Sequence, residues 1–314
     1  MSQSRVFQFV MAMLLTFAGG LASARAQTAA TAKPPQTDQT IAVTRGARLM
    51  VDNFGGEVIV RGWDRDSVRV QARHLSRMRV SVRTVQSGVS VSSSGSHGPG
   101  AVDYEINVPV WMPVKVTGHH AYIAVEGTQS EVSAETVRGD VVLKGGADFV
   151  FGKSVEGDVQ VSGARGRITV SSINQGVSVT DSAGDILAET VNGSIRLIKV
   201  TSETVEASTV NGHISFEGTP APRGKYRFAS HNGNIVLTVP ETTSAVFSVR
   251  TYNGSLNHAS LPLQRVGEIG RGRKATYTLG SGSAEFEVET FGGTVHLRRP
   301  GATPAPGKDP KNER

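Results

Sequence analysis

The sequence contains no cysteine and few aromatic residues, and each shortage excludes a class of protein. Without cysteine, the 314-residue chain can form no disulfide and offers no site for the lipid modification of a bacterial lipoprotein. Its stability must come from backbone hydrogen bonds and apolar burial, which a chain of this length can supply. Aromatic residues make up 6% of the chain, and only Trp63 and Trp111 are tryptophan. Rows of exposed aromatic rings are typical of sugar-binding surfaces, so this shortage counts against a dedicated carbohydrate-binding protein.

Long hydrophobic runs are also scarce. The main one lies near the N terminus, where Val6 to Ala18 follows Arg5 and precedes the small–x–small sequence Ala24-Arg25-Ala26. This order of charge, apolar core and cleavage site predicts a secretory signal peptide over residues 1–26, with a cut after Ala24 as the alternative. Because the run is short for a transmembrane span of about 20 residues, we expect cleavage rather than anchoring.

The formal charge of +6 does not describe a basic binding domain. Arg5 and Arg25 leave with the signal peptide, and residues 298–314 contribute +3, so residues 27–297 carry only +1. This near-neutral body and the predicted export argue against nucleic-acid binding. A local exception is a set of arginines on one side of two alternating segments: Arg69, Arg73, Arg79 and Arg83. They predict either a solvated strand face that discourages edge pairing or a contact with anionic envelope polymer or lipid head groups.

The strongest signal is a repeated phrase of the form (Ser/Thr)–apolar–Asn–Gly–x–(Val/Ile)–x–apolar. It occurs at residues 190–197, 209–216 and 230–237. Its glycine positions, called anchors below, are 139, 157, 175 (a glutamine), 193, 212, 233, 254 and 293. The steps between successive anchors are 18, 18, 18, 19, 21, 21 and then 39, and the last step predicts a double step or an insertion. A period of about 20 residues is typical of a solenoid.

Matched polar positions distinguish between two architectures. Apolar and polar residues alternate after each anchor, which predicts strands with one buried face. A serine or threonine stands three places before each anchor, and asparagine stands directly before five of them: Asn174, Asn192, Asn211, Asn232 and Asn253. Asn-Gly is also a hairpin signal, so an antiparallel meander is the competing fold. The matched columns favour a parallel solenoid, where equivalent side chains lie about 4.8 Å apart and can bond along the stack.

The sequence therefore predicts an all-β fold, a single-stranded parallel β-helix or β-solenoid with 18–21-residue coils and a strand-rich N-terminal cap. We expect about nine coils, with Phe286 to Leu297 as the last, and anchor glycines that supply a positive φ at the corner. Two-residue alternation from Ser67 to Ser94 predicts the cap, because an open terminal coil is an exposed sheet edge. The predicted domains are a signal peptide (1–26), a disordered linker (27–40), the β-solenoid (41–298, with coil and cap over 41–113 and repeat coils over 114–298) and a disordered tail (299–314).

These motifs resemble a bacterial family. The Val108-Pro109 turn, the (Thr/Ser)–x–Asn–Gly–x–Ile coils and the closing segment from Leu279 to Val295 are similar to those of proteins named "putative adhesin". That family is a domain of unknown function related to head domains proposed for autotransporter adhesins. The resemblance covers about residues 41–298. It implies a parallel β-helix in an exported or envelope protein, and it brings no catalytic residues.

Candidate catalytic groups are sparse. The sequence contains no nucleophile elbow, phosphate-binding loop or HExxH motif. Asp185, Glu189 and Glu206 are expected on one outer face near Arg227, where a carboxylate pair with a cation could act on a glycosidic bond. Outward faces of any solenoid carry such clusters, so we expect no enzyme activity.

Histidine and tyrosine residues near the corners are the remaining candidates. His119 and His120 fall at a corner without a third metal ligand in place, so capping is favoured over metal binding. His231 and Tyr252 are interpreted as packed core residues.

The expected function is that of an exported, non-catalytic β-solenoid, periplasmic or at the cell surface, which acts as a structural or adhesive module of the envelope. Its expected partners are envelope or surface polymers or proteins, and no cofactor or metal is implied. The best candidate contact with anionic polymer is the set Arg69, Arg73, Arg79 and Arg83. The alternative is an envelope polysaccharide-binding or polysaccharide-cleaving β-helix protein.

Overall fold

The computed structural model describes residues 36–258, 260–266 and 274–302. The predicted signal peptide, the predicted linker up to residue 35 and the predicted tail from residue 303 lie outside these ranges. Within them the chain forms 25 strands. No helix in the described part is long and apolar enough to cross a membrane.

The N-terminal strands are arranged around one long strand. They are β1 (Thr37–Ala42), β2 (Arg48–Trp63), β3 (Ser67–His74), β4 (Met78–Val85), β5 (Gly88–Gly95), β6 (Val102–Pro109) and β7 (Val114–Thr128). Strand β2 pairs in parallel with β7 on one edge, and with β5 and then β6 on the other. Strand β3 pairs antiparallel with β6, β1 with β3, and β4 with β5. The strand-rich cap therefore consists of antiparallel strands that cover the end of a parallel stack.

The start of the fold differs from the predicted linker. Residues 37–40 belong to β1, which pairs antiparallel with β3 from Thr37 opposite Ala72 to Ala42 opposite Ser67. The side chain of Asp38 in this strand bonds Arg69. The low-complexity composition before residue 37 gave no sign of this strand, because the partner strand is distant in sequence.

The body of the stack consists of coils with two strands each, one before and one after the anchor. These strands are β8 (Val132–Arg138), β9 (Val141–Gly145), β10 (Phe149–Glu156), β11 (Val159–Ser162), β12 (Arg167–Ser172), β13 (Val177–Thr180), β14 (Ile186–Thr190), β15 (Ile195–Val200), β16 (Thr204–Asn211), β17 (Ile214–Gly218), β18 (Lys225–Asn232) and β19 (Ile235–Thr238). Every strand pairs in parallel with its equivalent in the neighbouring coils, as Ile186 does with Ile168 and Val205. Parallel pairing confirms the solenoid and excludes the meander.

The C-terminal end changes the order of the coils. Its strands are β20 (Ala245–Thr251), β21 (Ser255–Asn257), β22 (Gln264–Val266), β23 (Lys274–Leu279), β24 (Ala284–Gly292) and β25 (Thr294–Arg298). Strand β24 lies between β18 and β20, and β25 lies between β19 and β21. The coil that comes last in sequence is thus next to last in the stack, so the expectation that it ends the stack is wrong. The long last step between anchors arises because the chain adds β20 and β21 two levels away, turns back through β22 and β23, and fills the gap.

The stack contains eleven levels in the described part, two more than expected. The additional levels are the coil of β7, which has His119-His120 near its corner instead of Asn-Gly, and the level formed by β5 and β6 outside β2. Both lack the repeated phrase because they belong to the transition from cap to coils. The N-terminal end also departs from sequence order: there the later strands β5 and β6 lie outside β2, whereas at the C-terminal end the earlier coil of β20 and β21 lies outside the later one of β24 and β25.

The strands before the anchors stack into a first row, and the strands after the anchors stack into a second row. Apolar columns from these two rows meet in the interior. Ile168, Ile186 and Val205 are at most 2% exposed, and the buried cluster continues from Leu49 to Leu297. Burial of one such side chain stabilises the fold by about 1.5–3 kcal/mol. Toward the C-terminal end aromatic residues replace aliphatic ones in the core, and Phe216 of the second row packs against Tyr226 and Phe228 of the first.

The column of small hydroxyl residues binds one coil to the next. Each of these side chains is buried, and from Ser154 onward most donate a hydrogen bond to the anchor carbonyl of the coil below. Thr209 donates to Gly193 O at 3.0 Å and Ser230 donates to Gly212 O at 3.0 Å. Thr290 donates to Gly233 O at 3.2 Å, which is distant in sequence but in the adjacent coil. In six coils the column therefore supplies a donor to an anchor carbonyl, and the loss of that donor would cost stability.

The anchor glycines are needed for space rather than for a positive φ, which corrects the sequence expectation. Among the anchors in the described part, only Gly139 has a positive φ, of 122°. At Gly212 a Cβ would overlap the carbonyl group of Gly193, and at Gly233 it would overlap that of Gly212. The corners of successive coils approach so closely that only a residue without a side chain fits.

The asparagine ladder is present and lies on the surface. Asn192 donates to Asn174 at 3.3 Å, Asn211 to Asn192 at 2.9 Å, and Asn232 to Asn211 at 3.0 Å. All four residues are exposed. Asn253 stands two levels from Asn232, because the coil with Gly292 in this column lies between them.

We expect the buried hydroxyl to matter more than the exposed amide of the same coil. Thr209→Val removes a buried donor and leaves Gly193 O without it, which should lower the free energy of unfolding by about 1–3 kcal/mol. Asn211→Leu should cost less than about 1 kcal/mol, because water can bond the exposed amides of its neighbours. Urea unfolding of both variants measures the difference, and a larger loss for Asn211→Leu would contradict this assignment.

Candidate binding surfaces

The outer surface of the first row carries the predicted cluster of acids, but the structure separates its members. Arg227 lies between Glu206 and Glu287 on neighbouring levels, 3.9 Å from a carboxylate oxygen of each. These residues line an open depression together with Lys225. Glu189 belongs to another column, where it pairs with Ser208. Of the predicted cluster, the structure brings only Glu206 and Arg227 into ion-pair distance.

Other charged residues on the outer surface also pair between neighbouring coils. Lys144 contacts Glu126 at 2.8 Å, Arg138 contacts Glu156 at 2.7 Å, and Arg250 contacts Glu289 at 3.7 Å. Each pair joins two residues that are aligned in adjacent levels: Glu126 and Lys144, Arg138 and Glu156, Arg250 and Glu289. Exposed pairs of this kind contribute little to stability, so their main effect is to balance charge along the columns.

The four predicted contact arginines form two separate pairs. Arg69 and Arg73 lie on β3, which extends the second row of strands, whereas Arg79 and Arg83 lie on β4, which extends the first row. Arg69 binds Asp38 with two hydrogen bonds, of 2.9 and 2.7 Å, and its side chain lowers the pKa of that carboxyl group below its usual value. Arg73 binds Glu105 at 2.6 Å. The charges of the β3 pair are therefore balanced within the protein.

The arginines of β4 are different. Arg79 and Arg83 are both exposed, and no ion pair within the described residues involves either of them. In the part of the chain that the structure describes, β4 pairs with β5 on one edge only. Contact of the arginine set with anionic polymer stays a prediction, and the geometry leaves the β4 pair as its more accessible half.

The two tryptophans lie in corners of the cap. Trp63 Nε1 donates to Ser67 O at 2.8 Å, and Trp111 Nε1 donates to Asp66 Oδ1 at 2.9 Å. The guanidinium groups of Arg65 and Arg45 lie 5.0 and 5.6 Å from the centroids of the Trp63 and Trp111 rings. These contacts fix the turn between β2 and β3, and both indoles are bound by groups of the protein.

Residues at the corners are more exposed than the sequence suggested. His231 is exposed and stacks on Phe291 at 4.8 Å, and Tyr252 is 41% exposed, so their interpretation as core residues is wrong. They stand two places before an anchor, and the side chain that points inward is the hydroxyl residue three places before it. His119 is exposed and stacks on Phe54 at 5.2 Å. Among the described residues, no group of three His, Asp or Glu side chains could hold a metal ion.

The position two places before the anchor forms a continuous apolar stripe along the stack. Backbone pairing aligns it through every level from β2 to β20. We call this column the apolar stripe; in stacking order its residues are Phe54, His119, Val137, Val155, Ile173, Val191, Val210, His231, Phe291 and Tyr252. All are exposed except Val155, which is half-buried. The repeated phrase contains this apolar position, but only the strand register shows that it faces solvent.

The family model described as Toastrack DUF4097 matches residues 113–298, which is more than half of the chain. The chain belongs to this family. This confirms the resemblance drawn from the sequence motifs. A search of curated proteins gives no match.

Three solved structures are similar to the Toastrack chain. A "putative adhesin" from Bacteroides fragilis is 12% identical over 84% of this chain and 98% of its own, with a TM-score of 0.41. A "putative adhesin" from Parabacteroides merdae is 10% identical over 83% and 95%, with a TM-score of 0.36. A "putative cell adhesion protein" from Clostridium sporogenes is 10% identical over 85% and 100%, with a TM-score of 0.25. Likenesses of this size carry no argument about what the chain binds.

The Toastrack match separates the two surfaces described above. It begins just before β7 and ends at Arg298, so it includes all the repeated coils and the apolar stripe from His119 onward. The cap strands β1 to β6 precede the match and carry both arginine pairs. The Toastrack coils thus supply the stripe, and the cap supplies the unbalanced positive charge.

Proposed function

We propose that this Toastrack protein is an exported, non-catalytic structural or adhesive module of the cell envelope. The observation that carries the proposal is the way its polar side chains are used. Hydroxyls, amides and most paired charges connect one coil to the next, and they do not converge on a reacting position. Such a stack is a stiff rod with long surfaces, and extended surfaces suit contact with polymers or other proteins.

Export is part of the same proposal. Its support is the sequence order of Arg5, the apolar run and Ala24-Arg25-Ala26, which is typical of a cleaved secretory signal. The absence of cysteine is compatible with an oxidising compartment, because no thiol needs protection there. We place the module in the periplasm or at the cell surface.

The contact proposed for the cap is with an anionic envelope polymer through Arg79 and Arg83. Exposed arginines without an acidic partner attract phosphate and carboxylate groups. The attraction is screened over about 10 Å at 0.1 M salt, so binding should weaken as salt is added.

Retention of the purified protein on cell-envelope fractions tests this contact. The double variant Arg79→Ser/Arg83→Ser should lose most of its retention at low salt. The matched control is Arg69→Ser/Arg73→Ser on β3, whose arginines are already bound to Asp38 and Glu105, and it should retain more than the β4 variant. Equal losses in both variants, or retention that does not respond to salt, would contradict a contact at β4.

The alternative function is binding or cleavage of a polysaccharide at the depression around Arg227. The observation that favours it is the column of Glu206, Arg227 and Glu287, where two carboxylates flank one cation. Release of reducing sugar from the same envelope fractions by the wild-type protein, and its loss in Glu206→Gln, would support cleavage over the non-catalytic proposal.

A further inference from the structure

Nine of the ten residues of the apolar stripe, from Phe54 to Phe291, have the same order in both directions. From Phe54 to Phe291 it reads Phe, His, Val, Val, Ile, Val, Val, His, Phe, with Ile173 at the centre. Strand propensity accounts for β-branched residues at outward positions of strands. It does not account for an identical order from each end or for aromatic and histidine residues at both ends. A surface that is the same in both directions is complementary to a second copy of itself.

We infer that the apolar stripe is the interface of a homodimer in which a second copy lies antiparallel, with the twofold axis passing at Ile173. A twofold axis pairs each residue with one partner and that partner with it. Ile173 then meets Ile173 of the second copy, Val155 meets Val191, and Phe54 meets Phe291. Each pair joins side chains of the same type along the nine residues from Phe54 to Phe291.

Charges next to the stripe agree with this arrangement. The proposed twofold axis lies in the interface and crosses the stripe at a right angle. It therefore places each column beside the stripe opposite the same column of the second copy, with the order of levels reversed. Two places before the stripe, Lys153 and Glu189 stand one level on either side of the central level, and both are exposed. Lys153 therefore faces Glu189 of the second copy, twice in each dimer. In a parallel dimer the axis would instead run along the stripe. Lys153 would then face Gly157 of the second copy and Glu189 would face Gly193, so neither would meet an opposite charge.

The other flanking positions are compatible with the same pairing. Directly after the stripe, Asn174 faces itself across the axis, and amide groups can both donate and accept. The ion pair of Arg138 and Glu156 faces the amides of Asn211 and Asn192. At the far ends Asp52 faces Glu289, which is already bound by Arg250 at 3.7 Å.

The size of the stripe is sufficient for a stable dimer. Eight steps of about 4.8 Å between levels give a length of about 38 Å from Phe54 to Phe291. A width of about 17 Å corresponds to five positions of about 3.3 Å across the corner, hence about 650 Å² in each copy. Standard interfaces bury about 600–1,000 Å² per partner, so the stripe together with its flanking columns reaches the lower part of that range.

Cysteine cross-linking tests the dimer and its direction, since the chain has no cysteine of its own. Strand faces that pack against each other lie about 10 Å apart, beyond the roughly 4.4–6.8 Å between Cα atoms that a disulfide spans, so the reagent is a short bifunctional maleimide. With this reagent, Ile173→Cys should form a covalent dimer, and Val191→Cys, whose two copies are displaced along the stripe, should form less. A mixture of Val155→Cys and Val191→Cys proteins should form a mixed dimer. Cross-linking of Val191→Cys with itself to the same extent as Ile173→Cys would overturn the antiparallel arrangement, and failure of Ile173→Cys to cross-link would overturn the interface.

Sedimentation equilibrium of the purified full chain supplies the second measurement. Ile173→Arg should raise the dissociation constant by about 100-fold or more, because it sets two like charges against each other on the axis. When the variant and the wild type are compared at a concentration where both are monomeric, their melting temperatures should differ little, because Ile173 is 40% exposed. The control Val85→Arg, at an exposed valine of β4 away from the stripe, should remain dimeric. A wild-type protein that stays monomeric at the highest concentration measured, or an Ile173→Arg variant that stays dimeric, would overturn the inference.

Discussion

Gly212→Ala is expected to lower the free energy of unfolding by about 3 kcal/mol or more. The added Cβ would overlap Gly193 O and its carbonyl carbon, and it would also crowd the hydroxyl oxygen of Thr209. Because the closest obstructing atoms are backbone rather than the end of a side chain, a rotamer change cannot relieve the overlap. Two adjacent coils would have to move apart, which weakens the parallel pairing of β14 with β16 and of β15 with β17. Guanidinium unfolding followed by circular dichroism measures the loss.

Gly292→Ala is the matched control. Gly292 stands directly before an anchor, in the column that holds asparagine in other coils, and an added Cβ would lie 3.5 Å from Asn232 Oδ1. This is an ordinary van der Waals distance, and the backbone there has no positive φ. The control should unfold within about 0.5 kcal/mol of the wild type. Similar losses in both variants would show that glycine is required for conformation and not for the close approach of coils.

Phe286→Ala is expected to destabilise the protein by about 3–5 kcal/mol. Phe286 is 1% exposed and lies between the rings of Tyr226 at 4.5 Å and Phe247 at 4.7 Å. It also meets Phe216 of the facing row at 6.3 Å. Removal of this ring opens a cavity in the aromatic part of the core, on strand β24 between β18 and β20. The control is Phe291→Ala on the same strand, where the ring is 42% exposed and the loss should be smaller.

A double-mutant cycle between Tyr226 and Phe286 tests the order of the coils. Stacked aromatic pairs contribute about 0.5–1.5 kcal/mol beyond their buried area, so the two substitutions to leucine should couple by about this amount. In a stack that followed the sequence, the coil of Phe247 would separate these two residues. Additive losses would therefore contradict the inserted position of β24.

The sequence alone was sufficient to predict the repeated coils, because each coil contains the same pattern of residues. Alternation around the anchor defines two strands, and the hydroxyl and asparagine columns recur in register with the anchors. In a parallel stack a residue contacts its equivalent one period away, so matched columns report tertiary contacts directly. The parallel pairing, the ladder from Asn174 to Asn232 and the family all agree with that interpretation.

The tertiary structure decided what the repeat does not encode. At both ends the chain leaves sequence order, because a terminal coil must be covered and the covering strands β3, β4, β22 and β23 pair antiparallel with partners that no period identifies. The same holds for the surfaces. The arginine set divides because β3 and β4 extend different rows, and Tyr252 faces outward because the hydroxyl beside it takes the inward position. Periodicity determines which residues are equivalent, whereas register and packing determine which of them face the solvent.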